Sequence, residues 1–419
     1  MKTETGGTRW LSVVAVLFAG MTAGLHIGKV PPAIPVVAAE LHLGLVTVGW
    51  LLSLLAAVAA VGGSVFGGLV DRVGHRGSLF VGLICITIGS VIGSEVESGA
   101  LLLSSRGLEG VGSLLVIVSA PVLIWRASKT EDQRLAFGMW GCWAPAGIAT
   151  MMVLSPFILL HFGWRASWLA AAAMSLVALL AVWLVIPSAG SSPRQVRGDL
   201  GLVLRRPVSW MLAGNFCFYS MSFMTVFGFL PTFLVAEQHM APGAAAILTA
   251  VGVAGNAVGN VLGGWLTRYG LAWWQMIAIA CVAMGTASWG IFSDVLPVAA
   301  RLGMCLVFSI LGGFLPASVL GAAPVFAPTP AHVAAFGGML VQGMAVGQLL
   351  GPPILAQLVR SYGSWSIAPV YITATAAAGL VLALLFRREE LKLAASLSLA
   401  FNSAIGVSAS RHHAGANIG

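Results

Sequence analysis

The chain has 419 residues, of which 58% are apolar and only 8% are charged, and its mean hydropathy is +0.96. A soluble globular protein carries about 25% charged residues, so the composition excludes a soluble enzyme. Intrinsic disorder is excluded as well, because it needs low hydrophobicity and high charge. The apolar runs are long and unbroken, unlike the ~10-residue alternating strands of an outer-membrane barrel. The composition therefore predicts an all-α, multi-pass membrane protein.

Twelve apolar runs are long enough to cross a bilayer, which takes roughly 20 helical residues. We place these spans, numbered 1 to 12, at about 10–37, 46–69, 77–94, 100–125, 135–160, 167–186, 209–235, 243–266, 272–292, 295–325, 333–357 and 366–386.

The longest non-apolar stretch follows span 6, in the middle of the count, and is rich in arginine, serine and proline. It predicts a cytoplasmic linker, 188–208, between a six-helix N-terminal half, 1–187, and a six-helix C-terminal half, 209–390. The remaining residues, 391–419, form a weakly charged cytoplasmic tail to which the sequence pattern assigns no regular structure.

The distribution of charge orients the chain. The 21 Lys and Arg exceed the 13 Asp and Glu, which gives a net charge of +8. Basic residues collect in cytoplasmic loops. With the N-terminus inside, sixteen bases lie in cytoplasmic segments and two, Arg165 and Arg360, in outer loops. This bias predicts a protein of the cell (inner) membrane with both termini in the cytoplasm, and a lipid bilayer rather than nucleic acid as its surroundings.

Motifs of enzymatic chemistry are missing from the sequence. Neither a P-loop G-x-x-x-x-G-K-[ST] nor an H-E-x-x-H pattern occurs, so ATP hydrolysis and zinc proteolysis are not expected. The five cysteines are scattered through apolar runs without a CxxC or CxxH pair, which favours buried small side chains over metal ligands. We predict no enzymatic activity, no cofactor and no metal site.

An internal repeat relates the two halves. Residues 63–74 (GSVFGGLVDRVG) and 259–270 (GNVLGGWLTRYG) are identical at six of twelve positions, at an offset of 196, and each closes an even-numbered span. A weaker match at an offset of 195 relates Arg106 in span 4 to Arg301 in span 10. Repeats of this kind indicate a transporter built from two equivalent bundles.

Two parallel six-span halves joined by a basic loop resemble the major facilitator superfamily (MFS). Residues 67–76 read GGLVDRVGHR, similar to the family signature G-x-L-x-D-R-x-G-R-R/K, with His75 in place of a fixed cation. Residues 106–112 read RGLEGVG, similar to the family's R-x-x-Q/E-G-x-G motif of span 4. Residues 143–147, WAPAG, only partly match the G-P motif of the antiporter branch. The resemblance implies a secondary transporter in which spans 1, 4, 7 and 10 line a central cavity.

The same resemblance assigns a gating role to the loop after span 2. In the family this signature helps to latch one conformation, which here points to Gly67, Asp71, Arg72, Gly74 and Arg76. The glycines permit close helix packing and a tight turn, and the aspartate can pair with arginine or accept hydrogen bonds from helix N-terminal amides. A plain charged loop is the simpler interpretation, but the repeat preserves the glycines, which favours a latch.

Few ionisable residues lie within the spans, where a charge is costly and so marks function. They are His26 and Lys29 in span 1, Arg106 and Glu109 in span 4, and Arg301 in span 10. At ~1.5 Å of rise per residue, the first two pairs are expected in matching layers of the membrane. Each pair has i, i+3 spacing, so its two members share a helix face.

The candidate substrate-binding residues carry excess positive charge. They are Lys29, His26, Arg106 and Arg301, together with Tyr219 of span 7 as a hydrogen-bond donor. Positive charge in a low-dielectric cavity attracts anions, and arginine matches a carboxylate bidentately. The sequence therefore predicts alternating-access transport of a small organic or inorganic anion. The competing interpretation is that Lys29 and Arg301 extend to the membrane surface and only pack there.

Glu109 is the one carboxylate that we place within a span, and it is the candidate to carry a coupling proton. A structural Arg106–Glu109 pair that joins the spans fits the sequence equally well. Two other functions stay open. One is proton-coupled efflux of drug-like compounds, for which buried acids rather than bases would be expected. The other is a transporter-like membrane sensor without flux. We expect a monomer whose partners are a small-molecule substrate and, where transport is coupled, protons.

Two further residue classes have expected structural roles. Tryptophans near span ends, such as Trp164 and Trp168, are predicted to anchor at the membrane interface. The amides Asn256 and Asn260 of span 8 are predicted to bridge helices, which is the common role of amides within membranes.

Overall fold

The computed structural model describes residues 7–62, 70, 74–129, 131–187, 200–293, 295–329 and 332–415. Among these residues, eleven helices are long and apolar enough to cross a membrane. Numbered as α1 to α12, they are α1 Trp10–Glu40, α2 Leu45–Gly62, α3 His75–Glu95, α4 Gly99–Ala127, a single element Trp143–Val185 that holds α5 and α6, α7 Pro207–Ala236, α8 Pro242–Leu266, α9 Trp273–Ile291, α10 Val298–Phe326, α11 Val333–Tyr362 and α12 Ile367–Gly415.

The element Trp143–Val185 contains two membrane passes. At ~1.5 Å per residue its 43 residues would extend about 65 Å, roughly twice the ~30 Å hydrocarbon core. Gly163 divides it, with φ 76° and ψ 175°, a conformation that glycine adopts readily and other residues rarely do. The chain reverses there, so α5 is 143–162 and α6 is 164–185. With this division the described chain crosses the membrane twelve times, which confirms the span count predicted from sequence.

The helices alternate in direction between two faces of the membrane. We call the face at which α1 begins the near side and the opposite face the far side. Odd-numbered helices run from near to far. Helices α1 to α6 pack against one another, as do α7 to α12, which gives two six-helix bundles.

Equivalent helix pairs organise the two bundles. α1 packs along α5 in the first bundle, and α7 packs along α11 in the second. Gly24 of α1 lies directly against Gly147 of α5, and Gly343 of α11 lies against the backbone of Ala213 in α7. Gly147 and Gly343 are 196 positions apart, which is the offset of the sequence repeat. Small residues at these positions allow the two backbones to approach closely.

Prolines interrupt α1 in the middle of the membrane. The helix consists of two segments, Trp10–Gly28 and Val30–Glu40, which meet at Lys29. Pro31 and Pro32 have no N–H, so the carbonyls of the residues four positions earlier, Ile27 and Gly28, lack their helical donors. The interruption therefore leaves polar backbone groups next to Lys29, where other helices can bond to them.

The structure of the C-terminal tail differs from what the sequence predicted. No regular structure was assigned to 391–419, but α12 continues as one helix as far as Gly415. The segment is rich in Ala and Leu and contains no proline, so good helix formers continue past the membrane without a strong stop signal.

The α7–α11 contact yields a stability prediction. A methyl group on Gly347 would collide with the carbonyl of Cys217 in α7. Gly347→Ala should therefore lower the free energy of unfolding by about 1–3 kcal/mol, as overpacking does elsewhere, and lower the thermal midpoint measured by intrinsic fluorescence in detergent. Gly338→Ala on the same helix meets nothing within 4 Å and should leave the midpoint unchanged or raise it. Equal midpoints for the two variants would contradict this contact.

Candidate functional site

Four ionisable side chains from α1 and α4 meet inside the first bundle. His26, Lys29 and Glu109 are each 0% exposed and Arg106 is 1% exposed. The helices α3 and α6 close the remaining sides through Ser90, Trp168 and Ser175. The structure thus brings together four of the candidate residues that the sequence placed in matching layers. We call this set, with the three residues from α3 and α6, the Glu109 cluster.

Glu109 accepts hydrogen bonds on both carboxylate oxygens. Its Oε1 lies 2.5 Å from Lys29 Nζ and 3.3 Å from His26 Nδ1. Its Oε2 accepts from Arg106 Nη1, one helical turn earlier on α4. One carboxylate therefore contacts two cations and an imidazole, and the charges of the cluster are paired within the protein.

Arg106 bonds to backbone as well as to Glu109. Its Nη1 donates to the carbonyl of His26 at 2.9 Å, directly before the interruption in α1. Its Nε donates to the carbonyl of Leu51 at 3.3 Å, directly before a 3₁₀ turn in α2, Leu54–Ala56. Gly110 makes this approach possible, because it lies against the backbone of Leu55. The guanidinium thus joins α1, α2 and α4.

Lys29 places its ammonium among four partners. Nζ lies 2.5 Å from Glu109 Oε1, 2.7 Å from Ser90 Oγ and 3.1 Å from His26 Nδ1, and 4.8 Å from the centre of the Trp168 ring. Ser90 donates its own proton to the Trp168 carbonyl at 2.8 Å, so its oxygen acts as the acceptor for Lys29. All three ammonium protons therefore have acceptors.

The hydrogen bonds assign the tautomer of His26. Ser175 Oγ donates its proton to the Ala171 carbonyl at 3.1 Å, so at its 3.0 Å contact with His26 Nε2 it must accept. The proton of the imidazole then lies on Nε2, and the bare Nδ1 accepts from Lys29. His26 is neutral in this arrangement, because a proton on Nδ1 would face the lysine ammonium.

The cluster carries a net positive charge. Lys29 and Arg106 contribute two positive charges, Glu109 one negative charge and the neutral His26 none, which leaves +1. Pairing offsets much of the cost of burying these charges, but the excess charge has no counter-charge within the cluster. A net positive charge in a low-dielectric site is electrostatically complementary to an anion.

Sequence reasoning missed the residues from α3 and α6. Ser90 and Ser175 resemble any small residue of a packed helix, and neither has a motif that distinguishes it. Trp168 was predicted to anchor at the interface, which is wrong, because it is 0% exposed and its ring faces Lys29. Its neighbour Trp164 is also buried at 2%, where its indole donates to Glu40 at 2.7 Å.

Arg301 and Tyr219 lie outside the Glu109 cluster. Arg301 is in the first turn of α10 at the far side, where it donates to Gln238 Oε1 at 2.9 Å and to the Ser293 carbonyl at 2.6 Å. Tyr219 accepts a hydrogen bond from Asn256 at 2.8 Å. Asn256 also donates to the Ser309 carbonyl of α10 at 3.2 Å, which confirms the helix-bridging role predicted for it. Asn260 instead donates to Asn256 within the same helix.

The gating candidates are only partly within the described residues. Gly67, Asp71 and Arg72 lie outside them. Gly74 has φ 86° at the start of α3, a conformation that favours glycine. Arg76 Nη2 donates to the Trp183 carbonyl at 3.3 Å, which joins the near-side ends of α3 and α6. Among the described residues, no three His, Cys, Asp or Glu side chains are close enough to hold a metal ion together.

Comparison with known proteins decides the family. The sequence model of the Major Facilitator Superfamily matches residues 13–342.

The chain belongs to the major facilitator superfamily.

MFS proteins are membrane transporters, and this chain is accordingly a transporter and not an enzyme. It is 27% identical to mouse Monocarboxylate transporter 11 over 86% of its own length and 83% of that protein. It is 24% identical to Riboflavin transporter RibZ of Clostridioides difficile over 37% of its length, but spans only about a third of that relative, 34%. Other relatives are named as efflux or export proteins and are likewise matched over 37% to 57% of their length.

The MFS fold is confirmed by a solved structure. A bacterial homologue of the human lysosomal transporter Spinster, described as inward-facing and unoccupied, superimposes with a TM-score of 0.74. The match covers 94% of this chain and 99% of that one at 15% identity. Identity this low supports the fold alone.

The pairing at Glu109 can be tested by removing one partner or two. Glu109→Leu leaves Lys29 and Arg106 without a counter-charge, and breaking a buried pair in this way costs about 3–5 kcal/mol. We expect a strongly lowered thermal midpoint in detergent. The double variant Lys29→Met/Glu109→Leu restores the net charge of +1 and should recover most of the loss.

The exposed ion pair Glu389–Lys392 supplies the control. Glu389→Gln should change stability by no more than about 1 kcal/mol, since exposed pairs contribute little. If the double variant of the Glu109 cluster were less stable than Glu109→Leu, the charges would not be paired as described.

Proposed function

We propose that this MFS protein transports a small organic anion, most simply a monocarboxylate, together with a proton. The observation that carries the proposal is the excess positive charge of the Glu109 cluster, in which Lys29 and Arg106 outnumber Glu109 in the middle of the membrane. Ionisable groups at this depth are costly and mark function. The name of the mouse relative, which is matched over most of both chains, supports a carboxylate substrate.

A charge count explains how anion and proton would be coupled. The empty cluster carries +1, with His26 neutral. A proton on Glu109 would release Lys29 and Arg106 from their counter-charge and raise the net charge to +2. A monoanion then restores +1 and takes up the hydrogen bonds that Glu109 gave up. The empty and the loaded carrier have the same charge, so both can change conformation at a similar electrostatic cost.

The cluster is closed to solvent in this structure, since its ionisable side chains are at most 1% exposed. In the proposed cycle, protonation of Glu109 loosens the contacts between α1 and α4 and admits the substrate. Tyr219 is the corresponding candidate from α7: its hydroxyl accepts from Asn256, so its own proton is available for a substrate oxygen. We assign Arg301 a structural part in this scheme, because its partners lie in the far-side loops.

Transport assays in proteoliposomes test this proposal. With an acidic exterior, uptake of labelled lactate or pyruvate should exceed uptake without a pH gradient. Lys29→Met should reduce the rate at least tenfold, because it removes the positive charge that an anion needs. Glu109→Gln should lose the stimulation by the gradient and retain exchange of labelled for unlabelled anion, since a glutamine cannot take up a proton.

Drug efflux, the alternative function, would give the opposite result in these transport assays. Several relatives are named as efflux proteins, and a drug exporter would expel a cationic dye such as ethidium while no anion moves. That outcome would overturn the proposal. So would unchanged lactate uptake in Lys29→Met. We further propose that the near side is the cytoplasmic side, in accordance with the positive-inside rule.

Contacts between the two bundles at the far side suggest how the transporter closes. Leu52 of α2 packs against Gly228 of α7, and a Cβ added to Gly49 of α2 would lie about 3 Å from the backbone of Pro352 and Pro353 in α11. Neither glycine leaves room for a larger side chain. Alternating access requires this far-side contact to separate when the near side closes.

Enlarging Gly49 should therefore favour the state that is open at the far side. In a cysteine-free background that carries Leu52→Cys, Gly49→Val should increase labelling by a membrane-impermeant maleimide applied from the far side severalfold. Gly44, at the start of α2, has nothing within 4 Å, so Gly44→Val should leave labelling unchanged. Equal labelling in the two variants would contradict closure through this contact.

A further inference from the structure

A pocket opens at the near side where α4 ends. It lies between the last turn of α4 and the short helix Gln133–Gly141, and its volume is about 560 Å³. Small-molecule sites have volumes of roughly 300–1,000 Å³. The lining residues are Trp125, Arg126, Ser128, Lys129, Glu131 and Gln133. We call it the near-side pocket. It lies at the membrane surface, away from the Glu109 cluster.

Basic side chains dominate the near-side pocket. Within the described part of the chain, neither Arg126 nor Lys129 forms a salt bridge. Asp132, the nearest acid after Glu131 in sequence, already accepts a hydrogen bond from the Thr8 hydroxyl. Two bases thus face the pocket against one acid, Glu131, and their charge is open to an anionic ligand.

The walls of the pocket are fixed by contacts with the beginning of the described chain. Arg9 N donates to the Ala127 carbonyl at 2.9 Å, and Arg9 Nη2 donates to the Arg126 carbonyl at 3.3 Å. Lys129 N donates to Thr8 Oγ1 at 2.9 Å. The segment that follows α4 is therefore hydrogen-bonded to the segment that precedes α1, so the bases are held in place rather than carried on a free loop.

An apolar stripe borders the same pocket. In the helix Gln133–Gly141, Leu135 is 59% exposed and Met139 is 40% exposed, and their i, i+4 spacing places them on one face. The adjacent face is packed: Ala136 is fully buried and the Trp140 ring lies against Gly20 of α1. Trp125, 56% exposed, adds an aromatic side chain of the type that lies at lipid headgroup level. A short helix with this pattern lies in the plane of the membrane surface.

We propose that the near-side pocket binds the headgroup of an anionic phospholipid. The phosphate lies between Arg126 and Lys129, and the acyl chains follow Leu135 and Met139 into the bilayer. A lipid fits better than a protein partner, because the exposed apolar side chains continue the surface of the membrane helices and the bases lie at its edge. Each base near a membrane surface contributes about fivefold to binding of anionic lipid.

Binding of defined lipids tests the inference independently of any transported solute. The full-length protein in detergent is titrated with dimyristoylphosphatidylglycerol or dimyristoylphosphatidylcholine, and bound lipids are counted by native mass spectrometry. We expect the glycerol lipid to bind more tightly than the choline lipid. Arg126→Gln/Lys129→Gln should weaken binding of the glycerol lipid about 25-fold, from about fivefold for each base, with the choline lipid unaffected.

The adjacent exposed bases Arg205 and Arg206 provide a matched control on the same side of the membrane. Arg205→Gln/Arg206→Gln removes the same charge and should bind the glycerol lipid as the unmodified protein does. Equal losses in both double variants would show a general charge effect and overturn the assignment. Competition by glycerol 1-phosphate at the concentration of the lipid would also overturn it, since a free phosphate ester would then be sufficient. Thermal midpoints identify any variant that fails to fold.

Discussion

A charge in the hydrocarbon core of a membrane has neither water nor counter-ions around it, so the protein must supply every partner. In the first bundle, these partners are arranged around the carboxylate of Glu109. Its two oxygens accept hydrogen bonds from Lys29 and Arg106, which connects α1 to α4. Ser90 and Ser175 then extend the hydrogen bonds to α3 and α6. Four of the six helices of that bundle are thus positioned by the solvation of one carboxylate.

In the second bundle, uncharged groups make the hydrogen bonds that join α8 to α7 and α10. There Asn256 joins α8 to Tyr219 of α7 and to the Ser309 carbonyl of α10, and the rings of Phe216 and Phe223 flank the tyrosine. The two bundles share helix packing and glycine positions, yet among the described residues the cluster of buried cations around a carboxylate lies in the first bundle. The first bundle therefore holds the paired charges, while the second presents a polar and aromatic surface.

The sequence predicted the fold well because the bilayer imposes a simple rule. A helix must be about 20 apolar residues long, and the bases must collect on one side, so the number of spans follows from counting. The meeting of His26 and Lys29 with Arg106 and Glu109 also followed, from i, i+3 spacing and depth along each helix.

The features that could not be predicted from the sequence depend on contacts between residues that are far apart along the chain. Trp168 has the position of an interface anchor in its own span, and only the packing of α6 on α3 turns its ring toward Lys29. Arg301 matches Arg106 in the repeat, but it bonds to Gln238 and Ser293 in the far-side loops, whereas Arg106 bonds to α1, α2 and Glu109 inside its bundle. The tautomer of His26 depends on the proton of Ser175, which is committed to Ala171. None of these contacts follows from spacing along the chain.

The single-residue reversal at Gly163 has a mechanical consequence. Since α5 and α6 are continuous helix on either side of this glycine, no flexible loop separates them. α5 packs against α8 of the other bundle through Pro156 and Gly243, whereas α6 carries Ser175 in the Glu109 cluster. Because no loop can absorb movement between the two helices, a displacement of α5 at the boundary between the bundles would also displace α6. Through this hairpin, the boundary between the two bundles is connected to the hydrogen bonds of a buried imidazole.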